Sequence, residues 1–440
     1  MIKMKHCTTE KNQSHHMNQK NHSLDNVPEL RFPEFVDDGE WMEKKLKEVC
    51  NINPSNTRLP NEFIYIDLES VAAGKLLKRN IINLENAPSR AQRLLENGDI
   101  IYQMVRPYQK NNYFFDSCDK HNYVASTGYA LLRSYQSKMY LYQYVHSDNF
   151  VNRVLSKCTG SNYPAINSSD LSQIKVEIPK PQEQQKIASC LSSLDELITA
   201  HSQKLELLKD HKKGLMQNLF PQEGETVPKY RFPEFENDGE WVEEPLSSKV
   251  SVIDGDRGLS YPKAHEYSSD GYCVFLSAKN VTKNGFLFNE IQFITKEKDE
   301  LLRKGKLSRF DIVMTTRGSL GQLAFYNENI QFENIRINSG MVILRPKDNR
   351  INPNYLYSYF NSNSIQSAIK SQGFGNAVQQ LTVAVINNFT LRYPYTTQEQ
   401  QKIASCLSAV DELIIAQEEK IEQLRLHKKG LMQGLFPKAV

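Results

Sequence analysis

Two stretches of this chain carry one hydrophobic rhythm. Ile187, Leu191, Leu194, Ile198, Leu205 and Leu208 recur at alternating three- and four-residue steps. Ile403, Leu407, Val410, Ile414, Ile421 and Leu424 repeat them 216 positions later. Such a heptad seam marks a helix that packs along its length against another helix. The spacing predicts helices over Pro181–Lys213 and Gln398–Lys429, rods of about 48 Å at ~1.5 Å per residue. Both open on Gln-Glu-Gln-Gln-Lys-Ile-Ala (Gln182 to Ala188, Gln398 to Ala404) and close on His-Lys-Lys-Gly-Leu-Met-Gln (His211 to Gln217, His427 to Gln433). Pro181 suits a first helical turn, Thr396 with Glu399 forms a capping-box pattern, and Gly214 and Gly430 read as helix ends. His201 and Gln417 interrupt the seam at equivalent places, as a solvated position or as a register-setting polar layer.

Outside the helices the pattern changes to short alternating runs, again in duplicate. Val27-Pro28-Glu29-Leu30-Arg31-Phe32-Pro33-Glu34-Phe35, followed by Asp38-Gly39-Glu40-Trp41, returns 200 positions on as Val227 to Phe235 and Asp238 to Trp241. Prolines and Asp-Gly imply an extended lead-in docked by its aromatics, with Trp41 and Trp241 as core anchors. Strands are expected over 62–71, 99–105 and 123–134, then a helix over 137–158 and a polar loop over 159–164. In the second half, Phe310-Asp311-Ile312-Val313 answers Gly98-Asp99-Ile100-Ile101, and Asn338 to Arg345 answers Ser126 to Arg133, both at an offset of 212. A helix over 353–369 and a loop over 371–376 follow. Offsets of 200, 212 and 216 in chain order mean insertions in one of two homologous halves, the first about 16 residues shorter between the repeats. The two helices are nearly alike and the two mixed regions are not, which suggests equivalent contacts to a common partner and two different targets.

Composition removes several classes. A formal charge of +3 over 440 residues gives no general affinity for nucleic acid, so any DNA surface must be local or supplied by partners. Seven scattered cysteines without zinc spacing suit a reducing cytoplasm and no metal site. No apolar run reaches membrane-spanning length. Residues 1–26 are polar and read as a disordered tail.

Catalytic motifs are missing. Asn352-Pro353-Asn354-Tyr355 faintly resembles an adenine-methyltransferase motif but follows a charged loop, and reads as a helix start. No phosphate loop, dinucleotide fingerprint or catalytic triad can be asserted. DNA contact has better candidates in loops that follow equivalent strands. The first half offers Arg106, Tyr108, Lys110 and Asn111, with Ser161 and Tyr163. The second offers Thr315, Thr316 and Arg317, with Gln372, Asn376 and Gln379. Arginine pairs with guanine edges and amides pair with adenine. Each loop alone reads as a solvated turn; recurrence at corresponding places puts the DNA reading level with that.

The layout resembles the specificity subunit of type I restriction–modification systems, carried by the duplicated Gln-Glu-Gln-Gln-Lys-Ile-Ala and His-Lys-Lys-Gly-Leu-Met-Gln segments, the Phe-Pro-Glu-Phe…Trp lead-ins, Gly98-Asp99-Ile100, Asp311-Ile312-Val313 and Ser126-Thr127-Gly128. The resemblance implies an α+β fold: two pseudo-symmetric target-recognition domains (27–180 and 221–395) and two helical spacers (181–220 and 396–440) forming an antiparallel coiled coil. It implies a non-catalytic DNA-specificity subunit whose domains each read one half of a bipartite, asymmetric DNA target. The helices would set the spacing, since grooves on one face recur about every 34 Å. Two methyltransferase and two motor–nuclease subunits are the implied partners, bringing S-adenosylmethionine, ATP and magnesium; no cofactor is expected on this chain. The rival from another class is a coiled-coil adaptor without sequence-specific DNA binding.

Overall fold

The computed structural model describes residues 3–4, 26–55, 58–373 and 380–438. The chain divides into two compact units, Met1–Ser202 with Glu419–Val440, and Gln203–Glu418. Both boundaries fall inside a long helix. Compactness thus groups each mixed region with the start of its own long helix and the end of the other, rather than as domain, spacer, domain, spacer. The expected tail over 1–26 lies almost wholly outside the described residues. The exceptions are Lys3–Met4, which pair antiparallel with Leu30–Arg31, and Asn26, whose carbonyl accepts from the Trp41 N–H.

In the first unit, Ile100–Gln103 pairs antiparallel with Tyr113–Phe114 and Tyr129–Ser134, and the last strand also pairs with Cys50–Ile52. A second sheet sets Tyr123–Ser126 parallel to Glu62–Ile66. The second unit repeats both features: Ile312–Thr315 pairs with Met341–Pro346, and Cys273–Leu276 runs parallel to Ile335–Ile337. Ile100 sits opposite Leu132, and Ile312 opposite Leu344, so the register itself repeats at the sequence offset. A one-residue slip would turn these fully buried strands inside out. The Asp of each Asp-Ile motif explains its recurrence. Buried Asp99 accepts both hydrogen bonds of a forked pair from Arg133 at 2.8 Å, and Asp311 accepts from Arg345 at 2.8 and 2.6 Å.

Several expected elements are interrupted by local polar chemistry. The run 62–71 breaks after Ile66, where Asp67 accepts from the Ser70 hydroxyl. The run 123–134 breaks at Thr127-Gly128. The helix over 137–158 is two helices, Lys138–Tyr144 and Asp148–Leu155, because the Ser147 hydroxyl caps the second. The helix over 353–369 is likewise split into Pro353–Phe360 and Asn363–Gly373, so Ser371 and Gln372 are helical rather than loop. Asn352 does start a helix, its side chain accepting from the Asn354 and Tyr355 N–H groups.

The long helices run Pro181–Asn218 and Thr397–Leu435, past the glycines expected to end them. Gly214 and Gly430 face open space, and the chain stays helical because Met216, Leu219 and Phe220, and likewise Leu435 and Phe436, are buried in the core beyond them. The Thr396–Glu399 capping box does not form. The Thr396 hydroxyl is buried without a partner, and the Glu399 carboxylate accepts from Arg231 instead.

The helices pack antiparallel within each unit. In the second, Lys209 pairs with Glu418 and Lys212 with Asp411, so advancing along one helix retreats along the other. In the first, Lys428 pairs with Asp195, the same contact with the two helices exchanged. Along the seam Ile187, Leu191, Ile403, Leu407, Val410, Ile421 and Leu424 are buried; Leu194, Ile198, Leu205, Leu208 and Ile414 are half-buried. Trp41 and Trp241 are buried as expected. The six described cysteines form no disulfide.

Candidate nucleic-acid interface

Each mixed region is clamped to its helix by one device. Arg31 donates to both oxygens of Glu183 at 2.7 and 2.8 Å, and Arg231 to both oxygens of Glu399 at 2.8 and 2.8 Å. A third hydrogen bond from each arginine reaches the carbonyl of Gly39 or Gly239, where the lead-in turns with positive φ. Lys186 and Lys402 lie over the Phe32 and Phe232 rings and pair with Glu34 and Glu234. The two motifs recur at different offsets, so the chain order alone does not join them. The signal was present: an arginine and a glutamate at fixed places in both copies of two separate repeats.

With the scaffold fixed, the loops after Ile100–Gln103 and Ile312–Thr315 can be compared. In the first unit the loop bends through left-handed Arg106 and Lys110, both with φ of 54°. Its backbone is held where the Arg106 N–H donates to the Pro164 carbonyl at 2.7 Å. This brings together two candidate segments widely separated in sequence. The Arg106 guanidinium carbon lies 4.1 Å from the centre of the Tyr163 ring, and Tyr163 is 66% exposed. Tyr108 and Ser161 are exposed nearby in the chain. Lys110 and Asn111 are engaged otherwise. Lys110 Nζ donates to the His146 carbonyl and to Asp148, both at 2.8 Å, holding the Asp148 carboxyl below the usual carboxylate range. Asn111 accepts from the Ala73 N–H at 3.2 Å. These two build the loop, while Tyr108, Ser161 and Tyr163 are exposed and Arg106 is half-buried beside Tyr163.

The second unit corrects two expectations. Thr315 and Thr316 are buried, and the Thr315 hydroxyl donates to the Ser319 carbonyl and accepts from the Gln322 N–H. They shape the turn and are not available to DNA, because Thr315 is the last residue of a core strand. Arg317 is exposed and bridges to Gln380; Gln372 is exposed on its helix. Asn376 and Gln379 lie outside the described residues.

No group of three or more His, Cys, Asp or Glu is placed to hold a metal among the described residues, and no helix among them is long and apolar enough to cross a membrane. A cleft of 1190 Å³ in the first unit, bounded by Tyr142, His146, Asp195 and Lys428, reaches Lys110 but neither Arg106 nor Tyr163. The candidate loop residues Tyr108, Ser161 and Tyr163 thus lie on the exposed surface outside that cleft.

Comparison with known proteins adds an independent line. The family described as type I restriction modification DNA specificity domain matches twice, over residues 38–210 and 250–426. A protein of Methanocaldococcus jannaschii assigned as type I restriction enzyme MjaX specificity subunit is 25% identical over 306 residues, covering 68% of this chain and 66% of its own length. The type I restriction enzyme MjaVIII specificity subunit of the same organism is 24% identical over 292 residues, 64% of this chain and 65% of its own. The chain thus spans just under two thirds of these relatives. Among solved structures, the S subunit of a type I restriction–modification system from M. genitalium shares the fold with a TM-score of 0.57 at 15% identity, over 91% of this chain and 97% of that one. A chain from a solved type I R-M system gives 0.56 at 20% identity, over 90% and 97%.

Proposed function

The chain belongs to the type I restriction–modification DNA specificity family, and on that premise we propose that it is the subunit through which such a complex selects its DNA sequence. Each unit reads one part of a two-part, asymmetric target. The first reads through the loops carrying Arg106, Tyr108, Ser161 and Tyr163, the second through the segment around Arg317 and the one that follows Gln372.

One observation supports this above the rest: a scaffold repeated in register carries unlike loops. A protein with a single ligand would have no use for two different loop sets on matched strands. In this reading the chain performs no chemistry. Two methyltransferase subunits dock on the long helices with S-adenosylmethionine and take the adenine out of the stack. Two motor–nuclease subunits add ATP- and magnesium-dependent cleavage. Those partners supply much of the phosphate clamp, which suits the small net charge. The complex works in the cytoplasm, and the helix length sets how many unread base pairs separate the two parts.

The test is single-molecule methylation mapping of DNA from cells holding this chain and its methyltransferase. A single bipartite methylated motif is expected. Methylation without a bipartite motif, or none that depends on this chain, would overturn the reading and favour a protein-binding adaptor.

A further inference from the structure

Three contacts fix how the two reader loops correspond. The Met104 N–H donates to the Gly128 carbonyl and the Thr316 N–H to the Gly340 carbonyl. The Met104 carbonyl accepts from the Ile166 N–H, and that of Thr316 from the Leu381 N–H. One residue on, Val105 bridges to Ala165 and Arg317 to Gln380. The next residues, Arg106 and Gly318, are therefore equivalent, and both are left-handed, with φ of 54° and 71°. The fold demands a left-handed residue at this point. Glycine meets the demand freely, whereas any residue with a Cβ is strained there. The second unit uses glycine; the first keeps an arginine.

That arginine does nothing for the fold that glycine would not do. Its guanidinium has no carboxylate partner among the described residues, and its buried Nε makes no hydrogen bond. Its one side-chain contact of note is the stack on exposed Tyr163. The ring holds the guanidinium carbon at one place, and neither Nη group is in an ion pair among the described residues. Strain kept where a strain-free residue is available points from the backbone outlier to function.

We propose that Arg106 is a specificity-determining residue of the first unit, donating through its Nη groups to O6 and N7 of one guanine, with Tyr163 as its positioning residue. This rests on the DNA-reading function proposed above. The ligand is a base edge, since a paired contact to O6 and N7 carries sequence information; a phosphate can also take both Nη groups side by side, and the sequence dependence and salt dependence of binding separate the two.

The experiment compares wild type, Arg106→Gly and Tyr163→Phe, each assembled with the methyltransferase subunits, by methylation mapping, by DNA binding at several salt concentrations and by thermal unfolding. Arg106→Gly is expected to unfold no earlier than wild type. It should lose at least about tenfold of its preference for guanine at one position of one half-site, within the range for a bidentate pair. All other positions keep their preference. Tyr163→Phe keeps the stack and is expected to keep the guanine. A uniform loss of affinity over all sequences, with a shallower salt dependence, would make Arg106 a phosphate contact and overturn the proposal. An unchanged motif, or an earlier unfolding of Arg106→Gly, would overturn it too. If wild type itself shows no bipartite motif, the failure belongs to the function proposed above and not to Arg106.

Discussion

The two units agree where paired charges support the frame and part company at the turns that leave its strands. Asp99 with Arg133 and Asp311 with Arg345 are the same buried fork. Arg31 with Glu183 and Arg231 with Glu399 are the same clamp. Yet the left-handed positions exchange residues: Gly98 and Arg106 in one unit stand where Phe310 and Gly318 stand in the other. A left-handed position holds a residue with a Cβ only at a cost in backbone strain, whereas a buried charge loses its partner only at a larger one. The frame is thus held by a few paired charges and the loops are free to diverge.

The largest expected effect tests that frame. Glu183→Ala leaves Arg31 buried and unpaired, and Glu399→Ala does the same to Arg231. Each should destabilise its own unit by about 3–5 kcal/mol, the usual cost of breaking a buried pair by removing one partner. Denaturant unfolding should show the two losses to be alike. If one variant is near neutral, the pseudo-symmetry of the clamp is broken.

A second test separates the units by pH. Tyr140 and Tyr355 donate to the equivalent carbonyls of Glu177 and Arg392, which places His146 opposite Asn361. The His146 ring and the Asn361 amide each meet the carbonyl four residues back, at 2.7 and 2.9 Å. Burial pushes the His146 pKa down from 6.5 to about 4, partly opposed by the bond to the Tyr142 carbonyl. The folded state therefore favours the neutral ring. Its contribution is whole above the unfolded value and is lost as pH falls through the window toward about 4. Between pH 7 and 4.5 wild type should lose ~2–3 kcal/mol more than His146→Asn, at about 1.4 kcal/mol per pKa unit. Equal losses measured by urea unfolding would mean that His146 protonates freely in the fold.

The smallest effect concerns the helices, where the copies are most alike. Gly214 and Gly430 sit inside helices with open space where a Cβ would go. Gly214→Ala and Gly430→Ala should each raise stability by about 0.5–1 kcal/mol, seen as a higher melting temperature. A drop would mean that a partner-free helix surface is not what surrounds them.

Much of this was legible before any coordinates. The heptad seam gave both long helices, and the rising offsets gave the duplication, because periodicity and self-similarity are local properties of a sequence. Arg106 and Tyr163 are each visible in the sequence as loop residues, but nothing in the chain order joins them as the fold does. Thr315 and Thr316 were misassigned because a strand end and a loop start look alike in sequence, and burial alone separates them. The glycines were misread as helix ends because propensity yields to the burial of Met216, Phe220, Leu435 and Phe436 beyond them.

The sequence by itself determined the repeat, the long helices, the aromatic anchors and the chemical kinds of residue in each candidate loop. Only the tertiary structure decided which charges pair, which threonines are buried and which positions must turn left-handed. Those depend on neighbours brought together from more than 100 residues apart, as Arg31 and Glu183 are. A linear pattern holds no record of such distances, since the energy that selects them arises only when water is excluded from both partners at once.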